Sequence, residues 1–477
     1  MSSALPSTAS PAAARRRWWG LIVLAVAQLM LLLDTTVVNV ALAPIQHDLA
    51  FSHVGLSWVV NGYTLPFGGL LLLGGRIADA LGRRRVFLAG LALFAVASAI
   101  GGVAVTPAML VVSRVLQGVG GALVAPAALS LVTVLFTEPA ERSRALSTWG
   151  VLRGLGAALG AVLGGVLVTY LSWRWVFFVN LPIAVVAFVC APALVPESRS
   201  PRRGRPDIAG AVLATVGLTL IVYGLLASAG RWAAVVGVVL VLVFGWWQSK
   251  ASNPLVPLGF LLSRRRAIGN FVLLTFSAAM GVLFFTMALY LQQVAGLNAL
   301  YSGLSFLPIG PLFMLTGWLT ARLIPRIGQR AVMVLGLLLL TAAFVMFAGV
   351  DVGGSYVRDV LIGMLLFPLG AGFAVISGMI ASVDGTTGAD AGTASGINNT
   401  SQQIGMALGL ASLVAVGDAH TRSLLSSGAD GAHAAAGGYA LSFAVTAGLM
   451  AVTALVAAVF LPKPRLASKP TLNGGGG

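Results

Sequence analysis

Acidic side chains are scarce in this chain: 13 Asp and Glu stand against 29 Lys and Arg, and charged residues of both signs make up only 9% of 477 positions. Soluble domains carry roughly a quarter, so a surface bathed in water along the whole chain is excluded. Cysteine is nearly absent. Cys190 stands alone within an apolar run, which excludes a disulfide framework and a thiolate metal cluster and leaves it a packing role. The four histidines, His47, His53, His420 and His433, fall in or beside polar connections without metal-ligand spacing, so no metal site is expected. The clustered nucleophiles and paired acids of an enzyme are missing too, and no connection is long enough to fold into a signalling domain.

What the chain has instead is apolar length. Hydrophobic residues reach 58%, and runs of about twenty residues, the length that crosses a bilayer, recur throughout. Gly, Pro and charge divide them into spans near 19–42, 55–75, 86–105, 108–136, 143–170 and 175–195. A shorter pair follows near 208–228 and 231–249, then six more near 268–294, 302–323, 331–350, 357–382, 391–416 and 438–461. The expected fold is all-α, with fourteen transmembrane helices, because these runs are too long and too apolar for barrel strands.

Basic residues test that count. With the N-terminus inside, 23 Lys and Arg fall on cytoplasmic segments and four, Arg174, Arg231, Arg358 and Arg422, on outer loops, while Arg114 and Arg153 lie within spans. This alternation is what the positive-inside rule requires, and it places both termini in the cytoplasm. The net charge of +16 is therefore a topology signal; no aromatic-basic module accompanies it, so nucleic acid is not an expected partner. Arg15–Arg17 before a long run, with "ALA" at 41–43, resemble a secretion signal, but the run is too long and too polar at Asp34 and Asn39, so it reads as a retained first helix. Residues 1–17 and 463–477 read as disordered tails.

Two echoes suggest an internal repeat. "GRIADALGRRR" at 75–85 is answered by "ARLIPRIGQR" at 321–330, an offset of 246, and "GAALG" at 156–160 by "GMALG" at 405–409, an offset of 249. The expected domains are a six-helix bundle over 18–196, a linker over 197–266 holding the extra pair, and a second bundle over 267–462. Parallel repeats with a site near the midplane between them are a transporter architecture.

Inside this apolar frame two charges stand out. Asp34 is the one acid deep within a span, where desolvation favours its protonated form; alternatively Thr35, Thr36 or Asn39 holds it for packing. Arg114 costs on the order of 2.5–3.5 kcal/mol at mid-membrane and must be paired or face a wet cavity, with Gln117 on the same helix face. Arg153 either faces that cavity, selecting anionic or zwitterionic substrates, or snorkels to the interface.

The motifs "LDTTVVNVALAPI", "GRIADALGRRR", "RVLQGVGGALVAPAALSLV", "GLGAALGAVLGGVL" and "WRWVFFVNLPI" resemble those of the fourteen-span drug:proton antiporters of the major facilitator superfamily. The resemblance covers about residues 18–462. It implies alternating access, export of lipophilic, often cationic compounds driven by proton entry, no cofactor, and a monomer in the cytoplasmic membrane; an importer or a dedicated exporter of one metabolite is the alternative. The desolvated Asp34 is the reversibly protonated acid that proton coupling needs, and the resemblance assigns a part in proton transfer to Arg114, whose alternative is to bond backbone carbonyls and hold helices together. It makes Gly75, Asp79, Gly82 and Arg83 a gating motif, with Asp79 free to pair with Arg83 or with neighbouring helix ends. The substrate cavity would be lined by Asn39, Gln117, Arg153, Phe284 and Tyr290, although the last two fit lipid-facing or packing roles equally. Gly156, Gly160, Gly164 and Gly165 match the family's fifth-helix motif, except that its proline is here Ala161.

Overall fold

The computed structural model describes residues 11–199, 207–227, 230–251, 254–386 and 391–461. Fourteen long helices follow one another with short connections: α1 (Pro11–Asp48), α2 (His53–Leu81), α3 (Arg83–Gly102), α4 (Pro107–Leu135), α5 (Pro139–Tyr170), α6 (Trp175–Leu194), α7 (Ile208–Leu226), α8 (Arg231–Lys250), α9 (Arg264–Val294), α10 (Ala299–Ile327), α11 (Gln329–Phe347), α12 (Tyr356–Ser382), α13 (Ala391–Ser426) and α14 (Gly431–Phe460). Thirteen are long and apolar enough to cross a membrane; in α5 the described apolar stretch is Leu159–Tyr170. The expected helices are all present. One boundary is corrected: Pro11 to Arg17, read as part of a disordered tail, lie in the first turns of α1. The tail at 463–477 lies outside the described residues.

Successive helices alternate in direction, so the start of α1 and the end of α14 lie on one face, here the basic face, and the α1–α2, α3–α4 and α13–α14 connections lie on the far face. Within lipid every backbone group must be satisfied in its own helix, and helices associate through small residues and polar contacts. Gly74 of α2 leaves no room for a Cβ against the Ala122 carbonyl of α4, Gly118 of α4 none against the Tyr63 carbonyl of α2, and Gly90 of α3 meets Gly120 of α4. This knits α2, α3 and α4 together.

The second half repeats these contacts. On the first helix, Gly156 and Gly160 of α5 face Leu32 and Thr36 of α1; on the ninth, Gly405 and Gly409 of α13 face Leu274 and Ala278 of α9. The Gly90–Gly120 approach returns as Gly336–Gly370 between α11 and α12. Arg84 donates to the Pro192 and Val195 carbonyls ending α6, both at 3.1 Å, and Arg330 donates to the Leu461 and Ala458 carbonyls ending α14. Gly82 and Gly328 occupy the matching turns with φ of +117° and +84°.

The extra pair α7–α8 does not sit between the halves as a spacer. Leu218 and Val222 of α7 share a core with Leu65 of α2 and Ala407 and Ala411 of α13, so the hairpin covers the α2–α13 seam. Asp207 staples it: the carboxylate caps α7 at the Gly210 N–H (2.9 Å) and accepts from Trp247 (3.0 Å) and Gln248 (2.7 Å) of α8. Partial burial pushes the Asp207 carboxyl up, but these bonds and the charge of Arg76 outweigh it and hold it below the ordinary carboxylate range.

Candidate functional site

Asp34 lies midway along α1 and is 1% exposed. Its Oδ2 receives Nη1 of Arg114 at 2.5 Å, and Oδ1 accepts from Gln117 (3.0 Å) and from Asn180 (2.9 Å). The same Gln117 amide reaches Ser98 Oγ at 2.7 Å, while its Oε1 accepts from Arg114 Nη1 at 2.8 Å. Arg114 also donates Nε to the Val59 carbonyl at 2.8 Å, and its guanidinium stacks 4.6 Å from the centre of the Tyr63 ring. Side chains from α1, α2, α3, α4 and α6 thus meet in one sealed polar knot.

The geometry explains how a charge pair survives there. Breaking a buried pair by removing one member costs about 3–5 kcal/mol, because the remaining charge stays desolvated. Here amide donors occupy Oδ1, and the Val59 carbonyl, Gln117 Oε1 and a π-face share the guanidinium, which offsets the cost of burying both ions.

The alternative partners considered for Asp34 have other tasks. Thr35 and Thr36 donate to carbonyls of Leu32 and Leu33, and Asn39 donates to the Thr35 carbonyl at 2.8 Å. Asn180 was overlooked although it stands in the quoted "FFVNLPI", and Ser98 carried no sequence signal beyond a lone hydroxyl in an apolar run.

The gating motif is assembled at the basic face. Arg83 pairs with Asp79 through Nε and Nη2, both at 2.8 Å. Gly82 needs its positive φ and also lacks room for a Cβ, which would meet the Glu197 carboxylate at 2.9 Å. Glu197, unnoticed in the sequence, accepts from the Arg84 and Arg85 N–H groups and so caps α3 from the end of α6. Gly75, for which the motif's glycines suggest close helix approach, is not such a position: a Cβ there meets Pro126 at an ordinary 3.5 Å, and it is Gly74 that has no room.

The α5 glycines sit where expected for close packing. Gly156, Gly160 and Gly164 face Leu32, Thr36 and Val37 of α1, flanking Asp34 on its own helix, and Gly165 faces Ala299 and Leu300 of α10. Arg153 lies in α5, but its side chain is outside the described residues. Phe284 stacks on Phe306 with centroids 5.0 Å apart, and Tyr290 donates to the Asp351 carbonyl at 3.0 Å. Both are buried in the packing of the second half, and neither joins the Asp34 knot.

Many apolar helices in two matching halves, with a charge pair sealed in one of them, define a multi-pass membrane protein of the transporter type. The chain belongs to the Major Facilitator Superfamily, whose profile matches residues 24–410. It is 37% identical over 450 residues to the puromycin resistance protein pur8 of Streptomyces alboniger, covering 91% of this chain and 89% of that one. The lincomycin resistance protein of Streptomyces lincolnensis is 36% identical over 409 residues, 82% of each chain. Among solved structures, the POT family transporter PepTSo superposes with a TM-score of 0.70 at 16% identity, over 93% of this chain and 97% of that one. A bacterial homologue of the human lysosomal transporter Spinster, in an inward-facing and unoccupied conformation, gives 0.66 at 16%, over 95% and 98%. At that identity the likeness concerns the fold alone.

Proposed function

We propose that this protein exports lipophilic antibiotics or related drugs across the cytoplasmic membrane by alternating access, driven by protons that enter through Asp34. The observation that carries the reading is the Asp34–Arg114 pair, 2.5 Å apart and sealed from solvent; relatives named for puromycin and lincomycin resistance support the drug class. The basic face is cytoplasmic on this reading and the far face external. The bundles over 18–196 and 267–462 are the rocking units, and the protein works as a monomer without a cofactor. Asp34 carries the proton, Arg114 stabilises its ionised form, and Gln117, Asn180 and Ser98 hold the pair in register. Asn39 and Arg153 are assigned to the substrate path that opens beside the knot.

The test is Asp34→Asn combined with Arg114→Gln, which removes the titrating group without leaving a cation buried. In proteoliposomes the double variant should bind drug but lose efflux driven by a pH gradient. Undiminished pH-driven efflux would falsify the assignment.

A further inference from the structure

On the far face a second polar chain ties the halves together. The Gln293 amide of α9 donates to Gln46 Oε1 of α1 at 2.7 Å; Tyr439 of α14 donates its hydroxyl to Gln293 Oε1 at 2.9 Å; and His53 of α2 lies with Nε2 3.1 Å from that same hydroxyl. Because the tyrosine proton is committed to Gln293, its oxygen accepts, so His53 donates from Nε2–H. The neutral ring then carries its lone pair on Nδ1, which is buried with no hydrogen-bond partner. A polar atom enclosed in this way is rare.

We propose that His53 Nδ1 is a second proton-binding site, and that occupying it releases this chain and frees the far face to open. The proposal rests on the transport reading above for its orientation: protons reach the far face from outside. A proton at Nδ1 makes the imidazolium a donor from both nitrogens, and the new N–H has no acceptor where it stands. The groups around it decide where the ring turns. From α9 come the Phe285 ring, 6.5 Å away edge-on, and the neutral Gln293; from α1, neutral Gln46; from α14, Tyr439. Among the described residues the carboxylate that acts on both His53 and Tyr439 is Asp418 of α13, whose Oδ2 is paired at 2.5 Å with Arg422. Asp418 is already held by Arg422, so in the closed arrangement the imidazolium has no free acceptor, and it leaves Tyr439 for water. The link from α2 to α14 then parts, which leaves the Gln293–Gln46 bond, Gln292 to the Val40 carbonyl and the Leu300 N–H to Thr169 as the remaining far-face ties.

Spin labels at Leu171→Cys and Tyr301→Cys, both exposed and outside the chain, report far-face separation in a Cys190→Ala background in nanodiscs without drug. The labelled distance should lengthen as pH falls from 8 to 5. His53→Gln, which still donates to Tyr439 but cannot become charged, should abolish the pH response and hold the short distance. His420→Gln should keep the pH response. A full pH response in His53→Gln, its loss in His420→Gln instead, or no response in the parent protein overturns the proposal. Since no substrate or gradient is present, failure of the efflux test leaves this result standing, and the reverse.

Discussion

Gly82 joins two helices with a φ of +117° and with the Glu197 carboxylate against its α-carbon. An alanine there meets both obstacles, the left-handed backbone alone costing about 1–2 kcal/mol. Gly82→Ala should therefore lower the unfolding temperature in detergent by several degrees, whereas Gly75→Ala, with ordinary contact space, should leave it unchanged. Glu197→Gln should give a smaller loss than Gly82→Ala, because the amide oxygen still caps α3 although the charge at the helix start is gone. Of the residues in the knot, Asp34, Arg114 and Gln117 were legible from sequence because a charge within an apolar span is conspicuous and Gln117 follows Arg114 by one turn. Asn180 and Ser98 were not, since their part depends on where α6 and α3 cross α1 and α4. Polar residues at mid-membrane announce themselves only when they are charged.

Among the elements, the glycines of α5 fit α1 on either side of the turn that carries Asp34. Any bending of α5 is thereby felt at Asp34. Ala161→Pro, which completes the family's antiporter motif, removes one backbone bond that a membrane helix can absorb. Its folded yield by size exclusion should stay within about twofold of the parent, while its transport rate changes by more than that; absence from the membrane would count against the expectation. At the inserted hairpin, Asp207 is ionised below the usual range, so its stabilising contribution is complete above the unfolded value of about 3.9 and fades only as pH falls through its lower folded value. Hydrogen exchange of 208–250 should accordingly be insensitive to pH-dependent opening between 7 and 5, after correction for intrinsic rates, and Asp207→Asn should raise it across that range. Helix number and direction were legible because length and punctuation fix them; the side on which α7–α8 dock was not, since both faces of that hairpin read as apolar.

For the whole molecule, orientation follows from the loops. Reporter fusions after Arg199 and after Asp430 should lie on opposite sides of the membrane, with the former cytoplasmic. The repeat also has a chemical reading. The α1–α5 and α9–α13 contacts match at an offset of 242, as Leu32 with Leu274 and Thr36 with Ala278, and Asp34 shifted by the same amount falls on Phe276. Gly120 matches Gly370, which carries Gln117 onto Phe367, and Phe276 stacks on Phe367 with centroids 6.1 Å apart. An ionic knot in one half is answered by an aromatic pair in the other.

The hairpin of α7 and α8, bound to α2 of one half and α13 of the other, makes the protein's two flanks unequal toward lipid. The opposite seam, between α5 and α10, carries no such roof, and Gly165 and Gly303 bring those two helices into close contact there. The near two-fold architecture is therefore unsymmetrical where it meets lipid.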